Sequence, residues 1–292
     1  MNKKILITGT NGFIGGNLKK LAEFNNFEVL GFDSLNNFWN THVYQTEFYK
    51  SVGVDKYDCI IHVGAIASTR NNNTENLFGF NTQAVQVISD YCLHSQTPLI
   101  FISSSAVYGN SEGVESIYAK SKREAENVLN ETKGLPFTIF RLFNTYGFNE
   151  IKKGMMKSVV SDMIISAIKE KEIRIWQLED FPLGKQSRDL IHVNDVCNII
   201  LHTLTNKFFD RNTHDLGSGK SHEFIKLANA VSSNFDGIKI TAVKIPENYD
   251  SSLYQTFTKA NMEWLSNSPI MHSMSDLYES IPKLIAKYKT VV

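Results

Sequence analysis

Short apolar, β-branched runs alternate along this chain with longer stretches in which apolar residues recur every three or four positions. That alternation is the pattern of βαβ units building a parallel sheet buried on both faces. Strands are predicted over 4–8, 28–32, 59–63, 99–103 and 137–142, each bounded by turn-forming residues. Helices are predicted over 13–24, 81–94 and 116–131. From about Gly147 the pattern changes. A helix is expected to open at Lys152-Lys153-Gly154-Met155-Met156 and to run to about Lys169, followed by a strand at 173–176. Residues 189–193 return to strand character, and His214 to Gly219 reads as a strand ending in a turn. The expected fold is α/β: a doubly wound parallel sheet over 1–146, with 186–219 returning to it, and a smaller interleaved region formed by 147–185 and 220–292. Asn71-Asn72-Asn73 reads as loop, and no internal repeat or low-complexity linker is found.

At 292 residues the chain is long enough for one large domain carrying a smaller companion, but too short for two full-sized independent ones. Its 30 basic and 30 acidic side chains cancel, so no net positive field draws it to nucleic acid or an anionic membrane, and a small-molecule partner is favoured. Cys59, Cys92 and Cys197 are odd in number and widely spaced, which argues for buried thiols in a reducing cytosol rather than disulfides or zinc. The eight histidines show no H-x-x-x-H spacing, so no metal is expected. The apolar run after Met1-Asn2-Lys3-Lys4 is cut at once by Thr8-Gly9-Thr10-Asn11-Gly12 and is too short for a signal h-region. No stretch approaches transmembrane length, and a cytoplasmic protein is expected.

Glycines recur as G-x-x-G-x-x-G in Gly9-Thr10-Asn11-Gly12-Phe13-Ile14-Gly15, directly after the first predicted strand and at the start of a helix. Gly9 permits the tight turn, Gly12 lets the backbone approach a pyrophosphate, and Gly15 lets the helix pack against the strand. The free N–H groups of the helix N-terminus would then face the phosphates. A glycine triplet alone is weak, since many strand-to-helix turns need glycine. Asp33 adds to it by ending the second strand 18 positions after Gly15, where a carboxylate accepts from ribose hydroxyls. Together they point to a Rossmann-type site for NAD or NADP. Asp33 favours NAD because it would repel a 2′-phosphate, although a nearby Lys or Arg would offset that repulsion.

Tyr118-x-x-x-Lys122 places a phenol and an ammonium on one helix face. A phenol with a reference pKa of ~10 acts as a base at neutral pH only if positive charge stabilises its phenolate, and Lys122 with an oxidised nicotinamide ring would supply that charge. The pair also occurs by chance on exposed helices. Its setting favours chemistry: Ser103-Ser104-Ser105-Ala106-Val107-Tyr108-Gly109 ends a predicted strand at the carboxyl edge of the sheet, where ligands sit in doubly wound folds, and Ser104 could hold a substrate oxygen.

With these motifs, the chain resembles the extended short-chain dehydrogenase/reductase family acting on nucleotide sugars. The likeness continues through His62-Val63-Gly64-Ala65, Asn81, Arg141-Leu142-Phe143-Asn144-Thr145-Tyr146-Gly147, Arg188-Asp189-Leu190-Ile191-His192-Val193 with Asp195, and Leu216-Gly217-Ser218-Gly219. Gly64-Ala65-Ile66-Ala67-Ser68-Thr69, Lys153-Gly154 with Met156 and Ser158, and Tyr254-Gln255-Thr256-Phe257-Thr258-Lys259-Ala260 are most similar to its ADP-glyceromanno-heptose 6-epimerase branch, which serves lipopolysaccharide or capsule assembly. The resemblance implies that Gly9, Asn11, Gly12, Phe13, Ile14, Gly15, Asp33 and Ser34 bind the cofactor, with Gly64, Ala65, Asn81, Tyr118, Lys122 and Thr145. It implies catalysis by Ser104, Tyr118, Lys122 and Lys153, with Tyr118 and Lys153 as acid/base groups on opposite faces of the oxidised carbon. It implies that Ser104, Ser105, Asn144, Lys153, Arg188 and Tyr254 bind a nucleotide-diphosphate sugar, and that the protein is a homodimer, for which 81–94 and 116–131 offer two helices. The chain departs from that branch in a short Gly109–Tyr118 loop, in Met155 in place of a small hydroxyl residue, in Asp162 in place of histidine, and in having no base close after Asp33.

Alternatives remain on the substrate side. Lys153 stands beside Lys152, and either could be a solvated lysine at a helix start. Arg188 could pair with Asp189 or Asp195 instead of a phosphate. The leading expectation is a nucleotide-sugar epimerase that oxidises a carbinol carbon and returns the hydride to its other face. The rivals are an NAD(P)H-dependent reductase of a 4-keto nucleotide sugar, which needs the same Ser-Tyr-Lys set, and a non-catalytic NAD(P)-sensing protein, against which that set argues. A 4,6-dehydratase would need further carboxylates where Ser105-Ala106 stands.

Overall fold

The computed structural model describes residues 3–35, 38–53, 55–67, 73–110, 112–246 and 250–292, without the side chains of Lys152 and Met155. Ser68, Thr69, Asn71 and Asn72 lie outside the described residues, as does the side chain of Lys152 as a rival to Lys153. The chain begins β1 (Lys4–Thr8), α1 (Phe13–Phe24), β2 (Glu28–Phe32), α2 (Thr41–Val52), β3 (Cys59–His62), α3 (Thr74–Phe78) and α4 (Ala84–Ser95). It continues β4 (Leu99–Ser104), α5 (Ile117–Glu131), β5 (Phe137–Leu142), β6 (Asn144–Tyr146), α6 (Val159–Glu170), β7 (Glu172–Gln177), β8 (Ser187–His192) and α7 (Val193–Thr205). Last come β9 (Thr213–Leu216), β10 (Ser221–Glu223), α8 (Phe224–Ser232), β11 (Lys239–Lys244), α9 (Glu263–Ser266) and α10 (Leu277–Tyr288).

Six parallel strands form the central sheet in the order β2-β1-β3-β4-β5-β9. Its strands are apolar on both sides because both faces are covered. One face packs Leu6, Ile60 and Phe101 against α2, α4 and α5, and the other packs Ile5, Ile7 and Ile100 against α1 and α7. A third cluster joins α6, α8 and α10 with β7 and β8. No helix among the described residues is long and apolar enough to cross a membrane.

The α/β class and parallel sheet are as expected, and three details differ. The helix expected from Lys152 to Lys169 is two pieces: a tight 3₁₀ turn over Glu150–Met156, and α6, capped by Ser158, whose side chain accepts from Ser161 N. Gly154 breaks the run by taking a positive φ with a non-helical ψ (φ 54°, ψ −123°), and Lys157 is extended. The helix expected at 81–94 begins earlier, as α3, and passes through a π-turn at Gly79–Gln83 before α4. The strand expected at 189–193 is β8, which joins β6 and β10 in a separate sheet, while α7 and β9 pack in and extend the central one.

Candidate active site

Strand order reverses at β1, which lies between β2 and β3, and a crevice opens outside the carboxyl ends of β1 and β3, the usual ligand position in doubly wound sheets. The loops leaving those strands touch: a Cβ on Gly9 would stand 2.6 Å from Gly64 Cα. The cleft holds about 680 Å³. Its lining includes Gly9, Gly12, Phe13, Ile14 and Gly15, then Asp33, Ser34, Gly64 and Ala65, and from the second region Lys153 and Met156.

Gly12 offers no capping side chain to α1, and no acidic residue stands in the first turn, so the N–H groups opening that helix are available to an anion. Asp33 Oδ2 accepts from Thr10 Oγ1 (2.6 Å) and from Asn11 N (3.1 Å), tying the end of β2 to the glycine turn. Ser34 Oγ donates to Glu47 Oε2 on α2 (3.1 Å), so a second carboxylate stands beside Asp33. A dinucleotide fits these donors and acceptors: pyrophosphate at the start of α1 and ribose hydroxyls at Asp33.

Asn81 and Thr145, both expected at the cofactor, have their side chains bonded within the protein. Asn81 is fully buried in the π-turn, and its amide is used within the protein, accepting from Ile66 N and donating to Ile66 O and Ser121 Oγ. It fixes the loop carrying Gly64 to Ala67 rather than facing the cleft. Thr145 is buried in β6 and donates to Phe143 O. Thr8 and His62 set the same loop. Thr8 Oγ1 accepts from Gly64 N (3.0 Å) and shares a hydrogen bond with His62 Nδ1 (2.7 Å). Burial, with Lys122 nearby, pushes His62 down to about 3 and keeps it neutral.

Ser104 ends β4, where its hydroxyl accepts from Ala106 N and caps the 3₁₀ turn holding buried Ser105. Tyr118 and Lys122 lie one turn apart on α5, which Ser116 caps by accepting from Ala119 N. Burial raises the Tyr118 phenol above its ordinary value, and a hydrogen bond with Ser104 pulls it back. Lys122 is buried, donates from Nζ to Ile102 O (2.7 Å) and sits 4.2 Å above the Phe101 ring. Burial pushes it down to about 7, against the pull of Glu126. Ser104 thus lowers the proton affinity of Tyr118 against the effect of burial. Beneath them Glu126 accepts from Ser103 and pairs with Arg141 (2.6 Å), an ion pair that the spacing of motifs does not reveal.

From the second region, Lys153 extends its amine to 5.0 Å above the Phe13 ring. Glu150, fully buried, stands with Oε1 4.0 Å from that amine while Oε2 accepts from Ser158 N (2.8 Å). Burial lowers Lys153 and raises Glu150, and each moderates the other. Asn144 opens β6, half-buried beside β8. The guanidinium of Arg188 lies 4.9 Å from the Tyr254 ring and 5.6 Å from that of Phe224, and Trp176 packs on Tyr254 at 6.2 Å. The carboxylates weighed as its partners are occupied elsewhere: Asp189 by Ser218, Gly219 and Ala260, Asp195 by His272 and Ser275. Trp176 and Phe224 have no place in a short motif, since only the fold brings them to the site, and the i,i+3 spacing of Glu150 and Lys153 does not reveal that Glu150 is buried.

A glycine turn feeding a helix, a carboxylate at the end of the second strand and a Ser-Tyr-Lys set on the facing strand and helix define a dinucleotide-dependent enzyme. The chain belongs to the NAD-dependent epimerase/dehydratase family, whose profile it matches over residues 5–216. Among solved structures it is similar to the ADP-L-glycero-D-manno-heptose-6-epimerase of Helicobacter pylori, with a TM-score of 0.83 at 20% identity over 99% of this chain and 97% of that one. It is also similar to an NAD-dependent NDP-hexosamine 5,6-dehydratase of tunicamycin biosynthesis (TM-score 0.81, 18% identity, 100% and 99% covered). A third is the UDP-N-acetylglucosamine 4-epimerase of Methanobrevibacter ruminantium (TM-score 0.80, 20% identity, 100% and 99% covered).

Proposed function

We propose that this protein is a nucleotide-sugar epimerase that works by transient oxidation with a retained NAD. The observation that carries the reading is that Lys153, from the second region, lines the same cleft as the glycine turn. A ketoreductase needs one acid/base group. Inversion through a ketone needs the carbonyl carbon approached from both faces, and a second ionisable group beside the cofactor serves that chemistry.

NAD would supply the hydride acceptor and donor, with its oxidised ring adding positive charge beside the phenol. Tyr118 then takes the proton from the substrate hydroxyl, and Ser104 orients that oxygen. Lys122, anchored to Ile102 O, is placed to switch protonation near neutrality. Lys153 serves as the second acid/base group. Arg188, between Tyr254 and Phe224, would meet a diphosphate with its guanidinium fork, with Asn144 on the same side, while the rings cover the nucleoside. The Helicobacter pylori likeness supports an ADP-linked heptose as the first substrate to try. Asp33 with Glu47 favours NAD over NADP, because both carboxylates would repel a 2′-phosphate. A homodimer through α4 and α5 belongs to this reading, and mass measurement at micromolar concentration tests it.

The test is turnover of a nucleotide-sugar panel headed by ADP-heptose, in deuterated water without added cofactor. Epimerisation with no deuterium at the inverted carbon and no net change in NADH absorbance is expected. Stoichiometric consumption of added NAD(P)H would instead make the protein a ketoreductase.

A further inference from the structure

Glu150 is a fully buried carboxylate that the mechanism above does not use. One oxygen has a structural task, since Oε2 accepts from Ser158 N at the start of α6. The other, Oε1, makes no hydrogen bond among the described residues and faces Lys153 Nζ at 4.0 Å. Lys153 follows three residues later in the same 3₁₀ turn, and after it Gly154, with its positive φ, turns the chain away. The amine is therefore placed between an apolar ring, Phe13, on the cleft side and an uncompensated carboxylate oxygen on the protein side. A buried carboxylate oxygen without a donor is costly, and Lys153 is the cation the fold brings to it.

We propose that Glu150 is the positioning residue of Lys153: it holds the lysine amine at the cleft wall and sets the pH at which that amine loses its proton. The proposal rests on the epimerase reading only for what the amine then does to substrate. Among the described residues, the other ionisable groups around the pair are few. Tyr288 from α10 turns its phenol to Ser161 Oγ and Gly147 O, and Lys157 is paired with Asp162 (3.3 Å) and bonded to Gly154 O. From α1 the contact is the Phe13 ring, which carries no charge. Both burial and the carboxylate act on Lys153, and they oppose: burial favours the neutral amine, Glu150 the ammonium. Removing the carboxylate leaves burial unopposed, so the amine should lose its proton at lower pH.

The experiment is competition labelling of Lys153 with a small acylating reagent, read by peptide mass spectrometry across pH on the whole protein. It needs no substrate. In Glu150→Gln, whose amide oxygen can still accept from Ser158 N, the midpoint should fall by about one pH unit. In Glu150→Asp, with the carboxylate one methylene further back, it should fall by less. Ser158→Ala removes the cap hydroxyl but keeps both charges, and its midpoint should stay in place. A midpoint unmoved in Glu150→Gln overturns the proposal, as does an equal fall in Ser158→Ala, which would trace the effect to the helix start. A fall in Glu150→Gln without turnover of any nucleotide sugar by the parent protein would leave this link standing and remove the epimerase reading.

Discussion

At Tyr118 the decisive balance is between burial, which holds the proton on the phenol, and Ser104, which helps to release it. Ser104→Ala should therefore move the alkaline-rising limb of the kcat/KM profile to higher pH and lower the plateau by roughly 10- to 100-fold, a rate-against-pH measurement. Lys122 makes a separate prediction. In the fold its amine is pushed down to about 7, so above that pH the folded protein holds it neutral while the unfolded chain keeps it protonated up to its ordinary value of about 10.4. The unfolded state binds the extra proton in that window, and stability contributed by this site rises with pH. Compared with Lys122→Met, the parent protein should gain about 2 kcal/mol between about pH 7 and pH 9, measured by urea unfolding at both. A parallel pH dependence in the two proteins would show that Lys122 remains charged. The proposed preference for NAD rests on the charge of Asp33, and Asp33→Asn should narrow it by about tenfold, read from the NAD and NADP dissociation constants.

At the scale of elements, two glycines test why the backbone runs as it does. A methyl at Gly15 would lie 2.1 Å from Gly9 O, a backbone atom that cannot step aside, so Gly15→Ala should lift α1 from β1, cost about 3 kcal/mol and abolish NAD retention. Gly154 is different: nothing lies within 4 Å of its missing methyl, and only the positive φ of 54° resists substitution. Gly154→Ala should cost about 1 kcal/mol in urea unfolding and leave NAD retention intact. The β1-α1-β2 unit was legible in the sequence because glycine turn and hydrophobic period agree there, and all three elements have their expected bounds. The break before α6 was not, because Lys152 to Lys169 keeps a helical apolar period through Gly154, and a single glycine does not announce a positive φ. Asn81 was visible as a motif residue, but its task was not: it depends on Ser121 of α5 and on the loop at Ile66, which the fold alone brings within reach.

Across the whole molecule, the central sheet and the small sheet of β6, β8 and β10 are tied by a buried carboxylate. Asp189 on β8 takes four donors: Ser218 N and Oγ on Oδ1, and Gly219 N and Ala260 N on Oδ2. It thereby joins β8, the turn that follows β9 of the central sheet and the segment after Tyr254, so the stack holding Arg188 keeps a fixed relation to the cleft. Sequence patterns show Asp189 beside Arg188 and invite an ion pair between them. The actual donors lie 29, 30 and 71 positions away, beyond any periodicity, and three of the four are backbone or glycine-turn groups with no pattern of their own. Asp189→Asn keeps size and shape but puts an amide where one oxygen faced two donors. With at least one N–H group left facing a donor whichever way the amide turns, the change should cost about 2 kcal/mol in urea unfolding. Because the lost bonds hold the second region to the sheet, limited proteolysis of the variant should cut first within 254–262, with NAD retention persisting after the first cut. If NAD is lost at the same protease concentration as the first cut, the two regions unfold together and Asp189 supports a single cooperative unit instead.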